Sequence, residues 1–208
     1  MTQLGFDSLL DEAASSNEMQ ALLAKYPGMP STWDDGIPYY RKLLDRCHAA
    51  FLAADIDEIN RLYNEAEALA ELLQGHPGGI LAEDGGGTRL AAETRADQGT
   101  VPLWGQEGEF IVEAAGMRVR MEVDGIFGIA TRFVIFPGYG AHAVDYDKPF
   151  FSETGFRSFI GFHANLEPGI TQDVFTAGLI EHHVKHALKG KLVPIDPKYR
   201  KQAAGGEA

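Results

Sequence analysis

The sequence predicts an α+β protein with N-terminal helices that include an antiparallel helical hairpin. A mostly antiparallel sheet of four to five strands follows, closed by one C-terminal helix. Apolar residues recur with helical spacing over 38–75, whereas short alternating or apolar runs separated by glycine-rich turns fill 109–163. Because runs of strands follow runs of helices, the order favours α+β over a parallel α/β sheet.

The helical hairpin is the clearest local pattern. Pro38 is placed as the first residue of a helix. A second helix begins after Asp55, whose spacing to Glu58 resembles a capping box, and it ends at Gly75. The first helix carries one apolar stripe, formed by Tyr40, Leu43, Leu44, Cys47 and Phe51. Cys47 is therefore interpreted as a core residue and not as a nucleophile.

Composition divides the chain into four ranges. Residues 1–75 are predicted to be a helical region, with a break near 15–17. Residues 76–108 form a glycine-rich linker. The α+β domain is expected to occupy 109–195, and 196–208 is predicted to be a disordered tail.

Strands are predicted from alternation and from short apolar runs. A hairpin turns at Gly116, and its second arm places Met117, Val119, Met121 and Val123 on one face. Further strands are expected within 126–136, 142–146 and 156–163. The closing helix spans about 171–188 and stops before Gly190.

Composition also limits the class of protein. There is no apolar run of the roughly 18 residues that a membrane span needs, and the N-terminus has no basic and apolar leader pattern. With Cys47 as the single cysteine, an internal disulfide and a multi-cysteine metal site are excluded. A cytoplasmic location is expected.

Negative charge is concentrated in the helical region. The net charge is −12, and residues 1–75 hold 13 acidic and 5 basic side chains. This balance predicts a basic protein partner and opposes direct nucleic-acid binding, although it is also typical of a merely soluble surface. Self-association into a homo-oligomer is left open.

Two histidines have the spacing of a metal-binding helix. His182 and His186 lie four residues apart, as in helices that present two imidazoles to zinc. A third ligand would have to come from His142, His163 or Asp145. The simpler interpretation is that these side chains suit the C-terminal end of a helix. No cofactor is predicted beyond this zinc hypothesis.

Two segments carry candidate binding residues. In 138–147, Tyr139 and His142 follow glycine-rich turns, but a strand would place His142 and Asp145 on opposite faces, which opposes a local dyad. In 149–163, aromatic and polar side chains alternate, and Arg157 has the chemistry to hold a carboxylate or a phosphate. The candidate binding set is Arg157, Ser152, Glu153, Thr154, Ser158, Tyr139, His142 and His163. A purely structural role in core and turns is the alternative.

One resemblance covers roughly residues 101–200. The runs VPLWG, PFFSETGFRSFIG and PGITQDVFTAGLIEHHVKHALKGKLVPIDPKYRK resemble accessory proteins of bacterial plasmids and integrative mobile elements. The resemblance brings no catalytic motif and implies a setting, a mobile element in a bacterial host. In that setting, small acidic proteins often antagonise host defence or support transfer.

Two functions compete at this point. The first is an acidic protein-binding module of a mobile element, and the hypothesis extends to an inhibitor of a nucleic-acid-targeting defence system of the anti-restriction or anti-CRISPR type. It depends on the acidic helices and on the lack of a catalytic signature. The alternative is an enzyme or metal-binding protein with a histidine-containing pocket in the C-terminal half.

Overall fold

A computed structural model describes residues 3–162 and 164–203. Within these ranges, six helices and one four-stranded antiparallel sheet are present, which confirms the α+β class. The helices are α1 (Gln3–Lys25), α2 (Trp33–Ala53), α3 (Ile56–Gln74), α4 (Gly86–Glu93), α5 (Gln172–His182) and α6 (Pro197–Ala203). The strands are β1 (Glu107–Ala114), β2 (Met117–Asp124), β3 (Tyr139–Ala143) and β4 (Phe156–Phe159).

Helices α2 and α3 form the predicted hairpin. The backbone N–H of Glu58 donates to Asp55 Oδ1 at 3.0 Å, so Asp55 caps the start of α3 as expected. Gly75 ends α3 in the left-handed region at φ 83°. The predicted apolar stripe of α2 is buried, including Cys47 at 0% exposure.

The start of α2 and the continuity of α1 differ from the expectation. Thr32 caps α2 by accepting a hydrogen bond from the Asp35 backbone N–H at 3.4 Å, and Pro38 lies inside the helix. Pro38 is the sixth residue of α2, so its missing N–H leaves the carbonyl oxygen of Asp34 without its i+4 donor. Residues 15–17 do not break α1, which runs unbroken from Gln3 to Lys25.

Two ranges expected to lack structure contain helices. Residues 86–93, inside the predicted linker 76–108, form α4 against α3. A Cβ atom at Gly86 would lie 2.3 Å from the carbonyl oxygen of Ala70, so the glycine permits close packing. In the predicted tail 196–208, residues 197–203 form α6, and 204–208 lie outside the described residues.

The sheet has the strand order β1-β2-β3-β4. Ala115 (φ 49°) and Gly116 (φ 75°) connect β1 and β2, and two positive φ values are typical of a type I′ turn. The predicted alternation of β2 is confirmed, because its four apolar residues are buried. The outer edge of β1 is partly covered, since Glu107 O and Glu109 O accept from the backbone N–H groups of Ala96 (2.9 Å) and Gly99 (3.2 Å).

Three strand predictions need correction. The strand expected within 126–136 is wrong, because a 3₁₀ turn occupies Ile129–Arg132. There, Thr131 Oγ1 donates to the carbonyl oxygens of Ile126 and Gly128, both at 2.6 Å, which stabilises a turn instead. Strand β3 covers Tyr139–Ala143 instead of 142–146, and β4 ends at Phe159.

The closing helix matches its predicted extent. Helix α5 continues into a π-helical turn at His183–Ala187, and the chain then turns through Gly190 at φ 75°. Buried apolar residues of the α2–α3 hairpin, the sheet and α5 belong to one connected core. Within the described ranges, no helix combines the length and apolarity needed to cross a bilayer.

Replacing Ala54 by glycine is expected to stabilise the protein. Ala54 ends α2 with φ 55°, a conformation that costs an alanine about 1 kcal/mol relative to glycine. We expect Ala54→Gly to raise the free energy of unfolding in urea by about that amount. Ala49→Gly, at an exposed position inside α2, should lower the free energy of unfolding by about 1 kcal/mol. Destabilisation by both variants would contradict the assigned cap.

Candidate functional site: an acidic groove at the open sheet face

One face of the sheet contacts the core and the other faces solvent. The inner face packs against α5, for example through Tyr139 and Phe175, whose ring centroids lie 6.1 Å apart. Side chains on the outer face are half-buried or exposed: Glu107, Glu109, Ile111, Glu113, Arg118, Arg120, Glu122, Asp124, His142, Phe156 and Ser158. The outer face is therefore mainly charged.

The strand register places like charges opposite each other. Glu107 pairs with Asp124, and Glu109 pairs with Glu122, across β1 and β2. Directly opposed like charges destabilise a sheet. The hairpin therefore requires cations nearby, or it retains two unfavourable pairs.

Two arginines neutralise part of this charge. Arg95 lies 3.1 Å from Glu107 Oε1 and 2.7 Å from Glu109 Oε1. Arg120 lies 2.7 Å from Glu109 Oε2 and 3.1 Å from Glu122 Oε1. In the ranges that the structure describes, no cationic side chain comes within ion-pair distance of Asp124. Asp124 is thus the groove carboxylate without an ion-pair partner, and Glu107, which lies opposite it, shares its one arginine with Glu109.

A groove of about 530 Å³ lies where these carboxylates meet α4 and the turn after β2. Its lining contains four carboxylates and one guanidinium group, that of Arg95. The apolar part of the lining comes from Leu81, Val123, Phe127 and Ile129. We call this site the acidic groove; its lining is Leu81, Thr88, Arg95, Glu107, Gly108, Glu109, Glu122, Val123, Asp124, Phe127, Gly128 and Ile129.

Two glycines define the position of Asp124. A Cβ atom at Gly138 would lie 2.5 Å from Asp124 Oδ2, and one at Gly128 would lie 2.4 Å from Asp124 Cβ. Any larger residue at either position would displace the carboxylate. The Asp124 backbone N–H also donates to Gly138 O at 3.2 Å, which fixes the end of β2 beside the groove.

The pKa values of both carboxyl groups are raised. Desolvation is the main cause at Glu107, with Asp124 and Glu109 adding to it and Arg95 opposing it. Desolvation is also the main cause that raises the pKa of Asp124, followed by the charge of Glu122. The ionised forms are therefore disfavoured, and a cation placed between them would relieve that cost.

The predicted residues of 152–154 make hydrogen bonds inside the protein. The hydroxyl oxygens of Ser152 and Thr154 lie 2.8 Å apart. Thr154 Oγ1 donates to Phe156 O at 3.0 Å and accepts from the Phe156 N–H at 3.2 Å, on the outer edge of β4. Glu153 O accepts from the Asp196 N–H at 2.8 Å. A binding role for these residues stays a prediction.

The other predicted binding residues do not converge. Tyr139 is buried on the inner face with its hydroxyl 3.4 Å from Gln172 Oε1, whereas His142 lies on the outer face. His142 Nε2 is 3.0 Å from Glu122 Oε2, without the alignment of a hydrogen bond. Arg157 is exposed, with its guanidinium carbon 5.7 Å from the centroid of the Phe159 ring.

Ser158 and His163 complete the predicted set. Ser158 is exposed on the outer face, on the opposite side of β4 from Arg157. His163 lies outside the described residues. The eight predicted residues thus belong to both faces of the sheet and do not form one site.

The histidine pair of α5 is close but incomplete. The rings of His182 and His186 lie 4.4 Å apart, centroid to centroid. Among the described residues, no group of three His, Cys, Asp or Glu side chains could hold a metal ion. His142 cannot join the pair, because it lies on the outer face and α5 packs on the inner one. Zinc binding stays a prediction.

Part of the charge of the helical region is compensated internally. Glu65 is buried at 3% exposure, where it accepts from Tyr39 (2.6 Å) and Arg61 (2.8 Å) and pairs with Arg46. Arg61 also pairs with Glu58 at 2.6 Å. Glu65 therefore connects α3 to Tyr39 and Arg46 of α2, and its buried carboxylate is not available as a docking surface.

The fold and site thus define an α+β protein with an acidic groove at an open sheet face. No family model matches the chain, and no solved structure matches it. One Escherichia coli protein KlcB is 42% identical over 86 residues, which are 41% of this chain and 17% of that protein. A second Escherichia coli protein KlcB is 33% identical over 128 residues, which are 61% of this chain and 29% of that protein.

The chain therefore spans less than a third of either curated relative that it matches. These similarities support the coarser part of the resemblance, the likeness to accessory proteins of bacterial plasmids. The likeness to integrative elements stays a prediction.

Sequence reasoning missed the groove carboxylates. Glu107 and Glu109 occupy alternate positions of one strand, and Glu122 and Asp124 do so on the next. With a two-residue turn at 115–116, the hairpin register places these residues opposite each other. The sequence could have revealed the groove through this register, but the register can be derived only when the length of the turn is known.

Removing the charges of Glu107 and Asp124, whose pKa values are raised, is expected to stabilise the fold at neutral pH. A carboxyl group whose pKa is higher in the folded than in the unfolded state opposes folding when ionised. This cost disappears as the pH falls below both pKa values. Glu107→Gln/Asp124→Asn should therefore raise the melting temperature at about pH 7, and this increase in melting temperature should become smaller towards about pH 4.

A matched variant separates this effect from net charge. Glu18→Gln/Asp45→Asn removes two exposed carboxylates from α1 and α2 and leaves the groove unchanged. Thermal unfolding followed by circular dichroism at both pH values measures the difference. Equal gains from the two double variants would refute a specific cost at Glu107 and Asp124.

Proposed function

We propose that this chain is an acidic protein-binding module that docks a basic segment of a partner protein in the acidic groove. One observation carries the proposal: Glu107 and Asp124 face each other at the groove, with Arg95 on one side and no described cation on the other. A lysine or arginine from a partner would relieve this repulsion and gain charge-assisted hydrogen bonds.

Long-range electrostatics support the same partner class. The net charge of −12 attracts basic proteins and accelerates their encounter at low salt. The same charge disfavours nucleic acid as a direct ligand, because phosphates would be repelled. The groove volume of about 530 Å³ accommodates an extended basic side chain.

The plasmid setting suggests who the partner is. Similarity to two proteins KlcB and the resemblance of residues 101–200 support a plasmid accessory protein. We infer that the partner is a nucleic-acid-targeting defence protein of the host, of the restriction or CRISPR type. Such proteins hold nucleic acid on basic surfaces, and an acidic module that covers one would inhibit it.

A labelled peptide of alternating arginine and serine tests the docking part. We expect it to bind the wild-type protein, and Glu107→Gln/Asp124→Asn to weaken binding about tenfold or more. The control Glu18→Gln/Asp45→Asn has the same net charge as the groove variant, and its affinity for the peptide should remain close to that of the wild type. Fluorescence anisotropy at low and high salt gives the affinities. If both variants weakened peptide binding equally, the attraction would be non-specific and docking in the acidic groove would be contradicted.

Transfer of unmodified plasmid DNA into a restricting bacterial host tests the inhibition part. We expect the wild-type protein and the control variant to increase the recovery of transformants. The groove variant should not, since the basic partner would lose its site. The inhibition proposal would be overturned if recovery were the same with and without the wild-type protein in both restricting and CRISPR-bearing hosts. The docking proposal would then be judged by the peptide titration alone.

A further inference from the structure

Two large apolar side chains are exposed on one turn of the chain, and one of them, Ile129, lines the acidic groove. Ile129 is 67% exposed and Phe133 is 79% exposed. They belong to the 3₁₀ turn Ile129–Arg132 and the residue that follows it, and Ile129 also lines the groove. Exposed apolar side chains grouped beside a polar groove are typical of a protein interaction surface.

The turn that presents them is well anchored. Thr131 Oγ1 bonds to the carbonyl oxygens at both Ile126 and Gly128, and Arg132 pairs with Glu67 of α3 at 2.5 Å. The Phe133 backbone N–H donates to Ala130 O at 3.0 Å. Because the backbone is fixed by these bonds, the exposure of Ile129 and Phe133 is built into the fold.

We propose that the docked segment is amphipathic, with a cationic side chain between Glu107 and Asp124 and a neighbouring leucine or aromatic side chain on Ile129 and Phe133. This inference rests on the proposed function and specifies its partner. The charged contacts provide orientation and attraction, whereas removal of apolar surface from water supplies affinity that salt does not screen.

Charge decides between a foreign partner and a second copy of this chain. A second copy would have to bring basic side chains into the groove, but each copy carries a net charge of −12. Two acidic outer faces placed together would repel each other. The complementary occupant is therefore a basic segment of another protein.

Two labelled peptides of equal length and charge test the inference. One contains arginine and serine, and the other has leucine in place of every second serine. We expect the leucine peptide to bind wild-type protein about tenfold more tightly. Ile129→Ser/Phe133→Ser should abolish this preference, measured as the ratio of the two peptide affinities within the same variant. The control Ile160→Ser/Val174→Ser removes two side chains that are each 59% exposed elsewhere, and should preserve it.

Each outcome has a distinct meaning. If both peptides bind equally and Glu107→Gln/Asp124→Asn weakens both, docking stands and the amphipathic partner is overturned. If neither peptide binds, the proposed function itself fails. Sedimentation of the unliganded protein checks the remaining occupant: a dimer that Ile129→Ser/Phe133→Ser dissociates would show that a second copy covers this surface, which also overturns the inference.

Discussion

The packing of Trp104 connects the parts of this protein. Its indole ring is 0% exposed and stacks on Phe51 of α2 at 4.5 Å, with an angle of 4° between the rings. Its edge meets Phe175 of α5 at 5.4 Å, and Nε1 donates to Ile170 O at 2.8 Å. One side chain therefore contacts the helical hairpin, the closing helix and the loop before it.

Hydrogen bonds fix the segment that carries this residue. The Trp104 backbone N–H donates to His48 Nδ1 at 3.1 Å. Burial lowers the pKa of His48, against the opposing charge of Asp45, which keeps the ring nitrogen available as an acceptor. The amide of Gln172 donates to Leu103 O at 2.7 Å. Because this segment leads directly into β1, the position of the acidic groove depends on it.

The sequence predicts elements whose signal is local, and it misleads where packing decides. Helical spacing over 38–75 and the alternation of β2 follow from burial on one face, and both predictions were confirmed. The glycines at 85–87 lie in the range predicted as a glycine-rich linker, whereas the structure uses them to let α4 approach its neighbours. The apolar run of 126–136 has the composition of a strand, but the hydrogen bonds of Thr131 make it a turn. The candidate site shows the same difference. Histidines and aromatic residues can be selected from the sequence by residue type alone. The acidic groove cannot, because it is formed by the register between two strands.

The hydrogen bonds of Thr154 determine how a partner can be recognised. By occupying both the N–H and the carbonyl of Phe156, this hydroxyl blocks part of the outer edge of β4, and the segment 96–99 covers part of the opposite edge. Addition of a foreign strand is therefore obstructed at these positions. Strand addition depends largely on main-chain hydrogen bonds, which many different sequences can form. Contact through the outer face depends instead on side chains. Under the proposed function, single substitutions of outer-face side chains would therefore change which partner binds while the backbone is preserved.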